Sequence, residues 1–240
     1  MTVLYPTFLN LAARRCVVVG GGPVAERKVR GLIAADADVI LVALRTTPEI
    51  DRLDAEGALH VARRAYAPGD LVGAALVVAA TDNSSVNAGI AADARANGAL
   101  VNVVDDPAAC DVVVPAVVRR GDVTLAVSTG GRSPSFARAL REELDAWLSA
   151  DRIALLDLLA DVRVELKATG TNPGPQEWRD AIASPILLER LSAGDPAGAR
   201  AALLSSLGVP INSSAIAATA VAPKLPTPLA PRNASPRHFS

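Results

Sequence analysis

A glycine-rich turn between an apolar run and a helical pattern is the feature that most constrains how this chain folds. Residues 16–19 form a strand-like run of Cys and Val, and Gly20-Gly21-Gly22-Pro23-Val24-Ala25 follows it directly. Beyond the turn, apolar side chains recur at helical spacing, at Ala25, Val29 and Leu32, and Lys28 is expected to stay outside. A strand, a tight turn and a helix in that order predict a βαβ unit with a parallel sheet.

The glycines of this turn have the spacing of the G-x-G-x-x-G/A fingerprint of dinucleotide-binding folds. We expect Gly20 to permit the turn, Gly22 to let the backbone approach a pyrophosphate, and Ala25 to let the helix pack closely on the sheet. The free N–H groups at the helix N-terminus would face the phosphates. The predicted cofactor residues of the turn are Gly20, Gly22, Pro23, Val24 and Ala25.

The same alternation of short β-branched runs and helical patterns continues as far as residue 104. Further strands are predicted at 39–42, 59–61, 76–80 and 100–104, with helices opening at Thr47 and spanning about 84–97. After residue 106, two β runs at 112–119 and 123–128 suit an antiparallel hairpin. A helix capped by Ser133 follows, with an apolar stripe formed by Phe136, Leu140, Leu144 and Trp147. Further helical patterns follow it, including one small helical segment near 178–191.

These patterns predict the α/β class: a Rossmann-like parallel sheet, a small α+β region and a helical C-terminal domain. The predicted boundaries are 1–112, 113–150 and 151–220, with a Pro-rich tail at 221–240. The tail contains no acidic residue and little that could pack, so we expect it to be disordered.

Composition narrows the class of partner to a small molecule. The 24 Lys and Arg residues nearly balance the 25 Asp and Glu residues, which gives no electrostatic reason to bind nucleic acid or an anionic membrane. No apolar stretch approaches the roughly 20 residues of a membrane span, and no signal peptide is recognisable, so we expect a cytoplasmic protein. Cys16 and Cys110 are expected to be reduced, and no metal-ligand spacing is present.

Leu44 and Arg45 follow the second predicted strand, where dinucleotide folds usually place an acidic ligand for the adenosine ribose. No acidic residue is present there. Arg45 is either a contact for the 2′-phosphate of NADP or a solvated loop residue. Both Leu44 and Arg45 are predicted cofactor residues.

Polar residues also follow the fourth and fifth predicted strands. Thr81, Asp82 and Asn102 are expected to border the nicotinamide, because open α/β sheets bind ligands at the carboxyl edge. Asp105 lies at the same edge, where a carboxylate can accept a proton while hydride leaves a substrate. Its alternative interpretation is a capping or turn aspartate.

A loop of hydroxyl residues, glycines and one arginine joins the predicted hairpin to the next helix. Hydroxyl groups, flexible backbone and a helix N-terminus are suited to holding an anion. The predicted substrate-binding residues of this loop are Ser128, Thr129, Gly130, Arg132 and Ser133.

Taken together, five segments resemble the precorrin-2 dehydrogenase family, whose module is also found at the front of sirohaem synthases. They are Tyr5-Pro6-Thr7-Phe8, V-V-V-G-G-G-P-V-A-E-R-K at 17–28, A-A-T-D at 79–82, the segment 101–105, and A-V-S-T-G-G-R-S-P at 126–134. Their order matches that of the family up to about residue 148.

The resemblance implies NAD-dependent oxidation of precorrin-2 to sirohydrochlorin, a tetrapyrrole on the way to sirohaem and cobalamin. It further implies a homodimer, Asp105 as the essential aspartate, and a substrate-facing loop at Ser128 and Thr129. NADP stays possible as the cofactor. Some family members also insert iron, so Fe²⁺ would enter only as a substrate of a ferrochelatase (lyase) reaction.

Two other classes of protein share the first half of this pattern. A non-enzymatic dinucleotide-sensing module would not need Asp105 together with the loop at 128–134. A dehydrogenase of another small substrate would be expected to carry a recognisable Tyr, Lys or His catalytic group near the nicotinamide, and the sequence offers none.

Overall fold

Parallel strand pairing organises the first part of the chain. The structure, a computed structural model, describes residues 4–209, which form two compact units that divide between Pro115 and Ala116. The first unit contains a five-stranded parallel sheet in the order β3-β2-β1-β4-β5. Its strands are β1 Arg15–Val19, β2 Asp38–Val42, β3 His60–Ala62, β4 Leu76–Ala79 and β5 Leu100–Val103.

Helices α1 Pro23–Ile33, α2 Pro48–Ala55 and α3 Ser84–Ala96 cover this sheet. Ala25, Val29 and Leu32 of α1 share one buried cluster with residues of α2, whereas the buried residues of α3 belong to a second cluster. Helices therefore lie on both faces, as a parallel sheet requires. Thr47 caps α2, since its hydroxyl accepts the N–H of Ile50 at 3.3 Å.

The parallel sheet and its helices confirm the predicted Rossmann-like fold. The bounds predicted for each of the five parallel strands differ from the observed bounds by at most one residue at either end. Side-chain alternation and periodicity were sufficient here because the strands are short, apolar and buried on both faces.

The second unit begins with an antiparallel hairpin, β6 Ala116–Arg120 and β7 Val123–Val127. Gly121 has a φ of +53° at the first position of the two-residue turn, which is the position that favours glycine in a type II′ hairpin. As far as residue 209, five helices follow: α4 Pro134–Trp147, α5 Ala150–Ala168, α6 Pro175–Ala183, α7 Pro185–Ser192 and α8 Pro196–Ser206.

Two predictions for this half of the chain were incomplete. The first hairpin strand begins at Ala116 and not at 112, because Val112 is bound to β5: its N–H donates to Val101 O, and its carbonyl accepts from Asn102 Nδ2. The single predicted helical segment near 178–191 is two helices that meet at Ser184, and α8 was not predicted. Pro185 and Pro196 begin new helices because proline suits the first helical turn.

The predicted apolar stripe of α4 remains largely exposed. Phe136 and Trp147 are 57% and 54% exposed, and Ala137 is the buried residue of this helix. Helices α5 to α8 instead enclose their own core, which includes Val162, Leu187 and Leu203.

None of the helices within residues 4–209 is long and apolar enough to cross a membrane. The predicted tail at 221–240, with His238, lies outside the described residues. The further division predicted at residue 150 stays a prediction.

Candidate active site

Two positions of the glycine turn after β1 are packed closely against neighbouring main-chain atoms. Gly20 has a φ of +120°, and a Cβ on it would lie 2.2 Å from Ala80 O. A Cβ on Gly21 would lie 2.0 Å from Arg45 O. Both positions therefore require glycine for steric reasons, and the requirement at Gly21 was missed because the fingerprint leaves that position free.

Gly22 differs from its neighbours because it has room for a side chain. A Cβ there would meet no atom within 4 Å, and its φ of −82° is open to any residue. It is the N-cap of α1, and no side chain caps the helix. The first-turn N–H groups of α1 are thus left without a side-chain partner, beside an open space that suits a pyrophosphate.

Pro23, Val24 and Ala25 form the first turn of α1. Proline occupies the first helical position, where its missing N–H costs nothing, and Ala25 is fully buried against the sheet. The burial of Ala25 agrees with the close helix packing expected of it, and the cofactor contacts of Pro23 and Val24 stay predictions.

The loop after β2 lies against the glycine turn, since Thr47 N–H donates to Gly21 O at 3.1 Å. Leu44 and Arg45 are exposed on this loop. The carboxylate of Glu26 is already engaged: it accepts from Thr47 Oγ1 at 2.8 Å and from Arg30, and both bonds lower the pKa of Glu26. The loop after β2 therefore has an exposed Arg45 near the place expected for the adenosine ribose, and it contains no carboxylate that could bind the ribose hydroxyl groups.

Thr81 and Asp82 follow β4 at the carboxyl edge of the sheet, and a buried asparagine fixes Thr81. Asn87 Oδ1 accepts from Thr81 N at 3.2 Å and from Thr81 Oγ1 at 2.7 Å, while its Nδ2 donates to Thr81 O. Asp82 is exposed. Asn87 was missed because a helical asparagine gives no sequence signal unless the loop that it holds is known.

Asn102 lies in β5 and is 6% exposed. Its Nδ2 donates to Val112 O at 2.9 Å and lies 3.5 Å from Cys110 Sγ. Its Oδ1 is buried without a hydrogen-bond partner. Burying an unpaired amide oxygen carries a desolvation cost, so Asn102 is held at this position against that cost.

Asp105 and Asp106 differ in what their carboxylates do. Asp106 caps a short 3₁₀ turn, with its carboxylate accepting from Ala109 N at 3.2 Å. Asp105 is exposed, has a φ of +61°, and makes no side-chain hydrogen bond within residues 4–209. The capping role considered for Asp105 thus belongs to its neighbour, whereas Asp105 lies in a turn, as its alternative interpretation expected, with a left-handed backbone that aspartate tolerates better than most residues.

Lys28 of α1 is half-buried, whereas the sequence predicted that it stays outside. Burial lowers the pKa of Lys28, and nearby Arg27 adds to the effect, while Cys110 and Asp105 act in the opposite direction. Val104 and Val112, which lie on either side of Asp105 in the chain, pack against the apolar cluster that contains residues of α1.

The predicted substrate loop belongs to the second unit and is held by its own hydroxyl groups. Gly130 N–H donates to Ser128 Oγ at 3.2 Å, Ser133 N–H donates to Thr129 Oγ1 at 3.3 Å, and Ser133 Oγ caps α4 by accepting from Phe136 N. Ser133 is thus occupied as a helix cap. Ser128, Gly130 and Arg132 are exposed.

Neither cysteine is paired with the other. Burial raises the pKa of the Cys16 thiol to about 11, which keeps it protonated in the core. Within the described residues, no group of three or more His, Cys, Asp or Glu side chains is arranged to hold a metal ion.

Comparison with known families assigns both parts of the chain. A family of NAD(P)-binding domains (NAD_binding_7) matches residues 7–116, and the family described as sirohaem biosynthesis protein central matches residues 120–146. The two matches fall in the first and second units, respectively.

Relatives and a solved structure agree with these matches. Sirohaem synthases of Chromobacterium violaceum and Pseudomonas putida are 40% and 39% identical over 82% and 86% of this chain. The chain spans less than half of their length, 42% and 45%. The structure of a precorrin-2 dehydrogenase, SirC, matches with a TM-score of 0.64 and 26% identity, covering 85% of this chain and 98% of that one.

The parallel sheet, the glycine turn and the open helix N-terminus define an NAD(P)-binding protein of the Rossmann-like class. More narrowly, the chain belongs to the precorrin-2 dehydrogenase family, whose module sirohaem synthases share. The family resemblance inferred from the motifs is thereby confirmed.

Proposed function

We propose that this chain oxidises precorrin-2 to sirohydrochlorin with NAD as the hydride acceptor. The observation that carries the proposal is the match to SirC, a precorrin-2 dehydrogenase, over 98% of that protein's length. The open glycine turn at Gly22 supports a nicotinamide cofactor, which would supply the hydride-accepting carbon. A cytoplasmic location is part of the proposal.

In this reaction Asp105 is the proton acceptor. Oxidation removes a hydride and a proton from the macrocycle, so a base has to stand beside the nicotinamide. Asp105 is exposed at the carboxyl edge of the sheet and its carboxylate is unengaged within residues 4–209, whereas Asp106 is used as a cap.

Binding of the polycarboxylated substrate is assigned to the loop at 128–133. Its backbone turns through Gly130 and Gly131, with φ of +62° and +80°, and it leads directly into the N-terminus of α4. Exposed Ser128 and Arg132 supply a hydroxyl group and a cation that suit a carboxylate.

The chain is proposed to act as a homodimer. The stripe of Phe136, Leu140, Leu144 and Trp147 on α4 is amphipathic and largely exposed at its two aromatic ends. Large exposed apolar side chains on one helix face favour burial against a partner, and the family resemblance identifies a second copy as that partner.

The direct test is turnover of precorrin-2 with NAD, followed by the absorption spectrum of the macrocycle, in wild type, Asp105→Asn and Asp106→Asn. We expect sirohydrochlorin from the wild type and normal NAD binding in both variants. Asp105→Asn should lower turnover by roughly a hundredfold or more, because asparagine keeps the shape but is not a base. Adding Fe²⁺ afterwards tests the ferrochelatase extension of the proposal.

Absence of turnover in a wild-type protein that binds NAD would favour a dinucleotide-sensing module instead. Normal turnover in Asp105→Asn with an inactive Asp106→Asn would show that the other carboxylate is the base.

A further inference from the structure

The backbone at Asp105 has to be held by its surroundings. A φ of +61° is unfavourable for a residue with a side chain, although aspartate tolerates it better than most. Such conformations persist where neighbouring groups fix the chain on both sides. The thiol of Cys110 bonds to the main chain on both sides of Asp105.

Cys110 bonds to the free edge of the sheet. Val104 N–H donates to Ala79 O in the direction of β4, so the alternate N–H of Val103 faces away from the sheet. That N–H donates to Cys110 Sγ at 3.2 Å. Val103 is only 5% exposed, so water has little access to this amide.

The same sulfur reaches the far side of Asp105. Two carbonyl oxygens lie within hydrogen-bond distance of Cys110 Sγ, Val103 O at 3.2 Å and Asp106 O at 3.3 Å. The single S–H group can donate to one of them at a time. Asn102 Nδ2 adds a contact at 3.5 Å to the sulfur. One thiol therefore joins the end of β5 to the residue that directly follows Asp105.

We propose that Cys110 is a positioning residue for Asp105. The inference deepens the proposed function and rests on it. The thiol stays reduced and exchanges no electron or proton with the substrate. It fixes the main chain before and after Asp105, so that the carboxylate meets the substrate proton at a constant distance while hydride goes to the nicotinamide.

Substitutions at Cys110 separate this role from simple packing. Cys110→Ala removes both the acceptor and the donor and leaves the Val103 N–H buried without a partner. Cys110→Ser keeps a donor and an acceptor on a shorter arm. A packing role would make alanine and serine similar, whereas a positioning role makes serine the better replacement.

The experiment measures kcat, KM and NAD affinity for full-length Cys110→Ala and Cys110→Ser, each with Asp105 intact and in the Asp105→Asn background. We expect Cys110→Ala to lower kcat by roughly tenfold or more with little change in NAD affinity, because a small misplacement of a catalytic group is costly. Cys110→Ser should recover part of that loss. In the Asp105→Asn background, Cys110→Ala should have almost no further effect.

Amide hydrogen exchange at Val103 provides a readout that needs no substrate. We expect slow exchange in the wild type and fast exchange in Cys110→Ala. Equal exchange in the two proteins would overturn the inference even if precorrin-2 proved not to be the substrate.

The remaining outcomes distinguish the two proposals. A slow Asp105→Asn with a normal Cys110→Ala would refute the positioning role alone. An equal loss from Cys110→Ala in both backgrounds would show that the thiol acts independently of Asp105. Normal turnover in Asp105→Asn would remove the proposed base and the positioning role together.

Discussion

Gly22→Asp should weaken NAD binding without weakening the fold. A Cβ at this position meets no protein atom within 4 Å, and the backbone angles of Gly22 suit any residue. The new carboxylate would instead enter the space assigned to the pyrophosphate at the N-terminus of α1.

The magnitude follows from the position of Gly22 as an uncapped helix N-cap. Aspartate is among the best N-cap residues and interacts favourably with the helix dipole, so the free energy of unfolding should rise by about 0 to 1 kcal/mol. Two like charges about 4 Å apart repel by roughly 1 kcal/mol in water and 4 kcal/mol near a protein surface. The NAD dissociation constant should therefore increase by about fivefold to a thousandfold.

Calorimetric titration with NAD and chemical unfolding measure the two effects on the same preparation. Gly31→Asp is the matched control, because Gly31 lies exposed on the same helix with open space around it. It should leave NAD affinity nearly unchanged. Unchanged NAD affinity in a folded Gly22→Asp protein would refute the assignment of the phosphate site.

Three further perturbations address cofactor choice, stability and assembly. Kinetics with both cofactors should show that the protein uses NAD and rejects NADP only weakly, since Arg45 is exposed where no free carboxylate would repel a 2′-phosphate. A preference for NADP above roughly tenfold, about 1.4 kcal/mol, would contradict this expectation. The hydrogen bond from Arg64 lowers the pKa of Asp70 in the folded protein. The stability that this pair contributes is therefore fully present above about pH 4, roughly the pKa of an unfolded Asp, and is lost as the pH falls through the lower folded pKa. Asp70→Asn should thus cost about 1 kcal/mol in urea unfolding at pH 7 and much less near pH 2; a pH-independent difference would exclude the linkage. Phe136→Asp should convert a dimer to a folded monomer in sedimentation velocity, whereas Arg138→Asp on the opposite side of α4 should not; a dimer that survives Phe136→Asp would exclude this face.

The sequence by itself determined the parallel sheet and the position of the glycine turn. Buried parallel strands are continuous apolar runs, and the turn between β1 and α1 is local, so both can be inferred from neighbouring residues. The carboxyl edge of the sheet was predictable for the same reason, and with it the approximate place of Thr81, Asn102 and Asp105.

Tertiary structure decided the interactions between residues that are distant in the chain. The glycine requirement at Gly21 arises from the main chain of Arg45, and the conformation of Thr81 depends on buried Asn87. The thiol bonds of Cys110 follow from the way the loop after β5 folds back onto the edge of the sheet. Local sequence patterns do not predict these contacts, because each contact depends on where two separate segments of the chain meet in space.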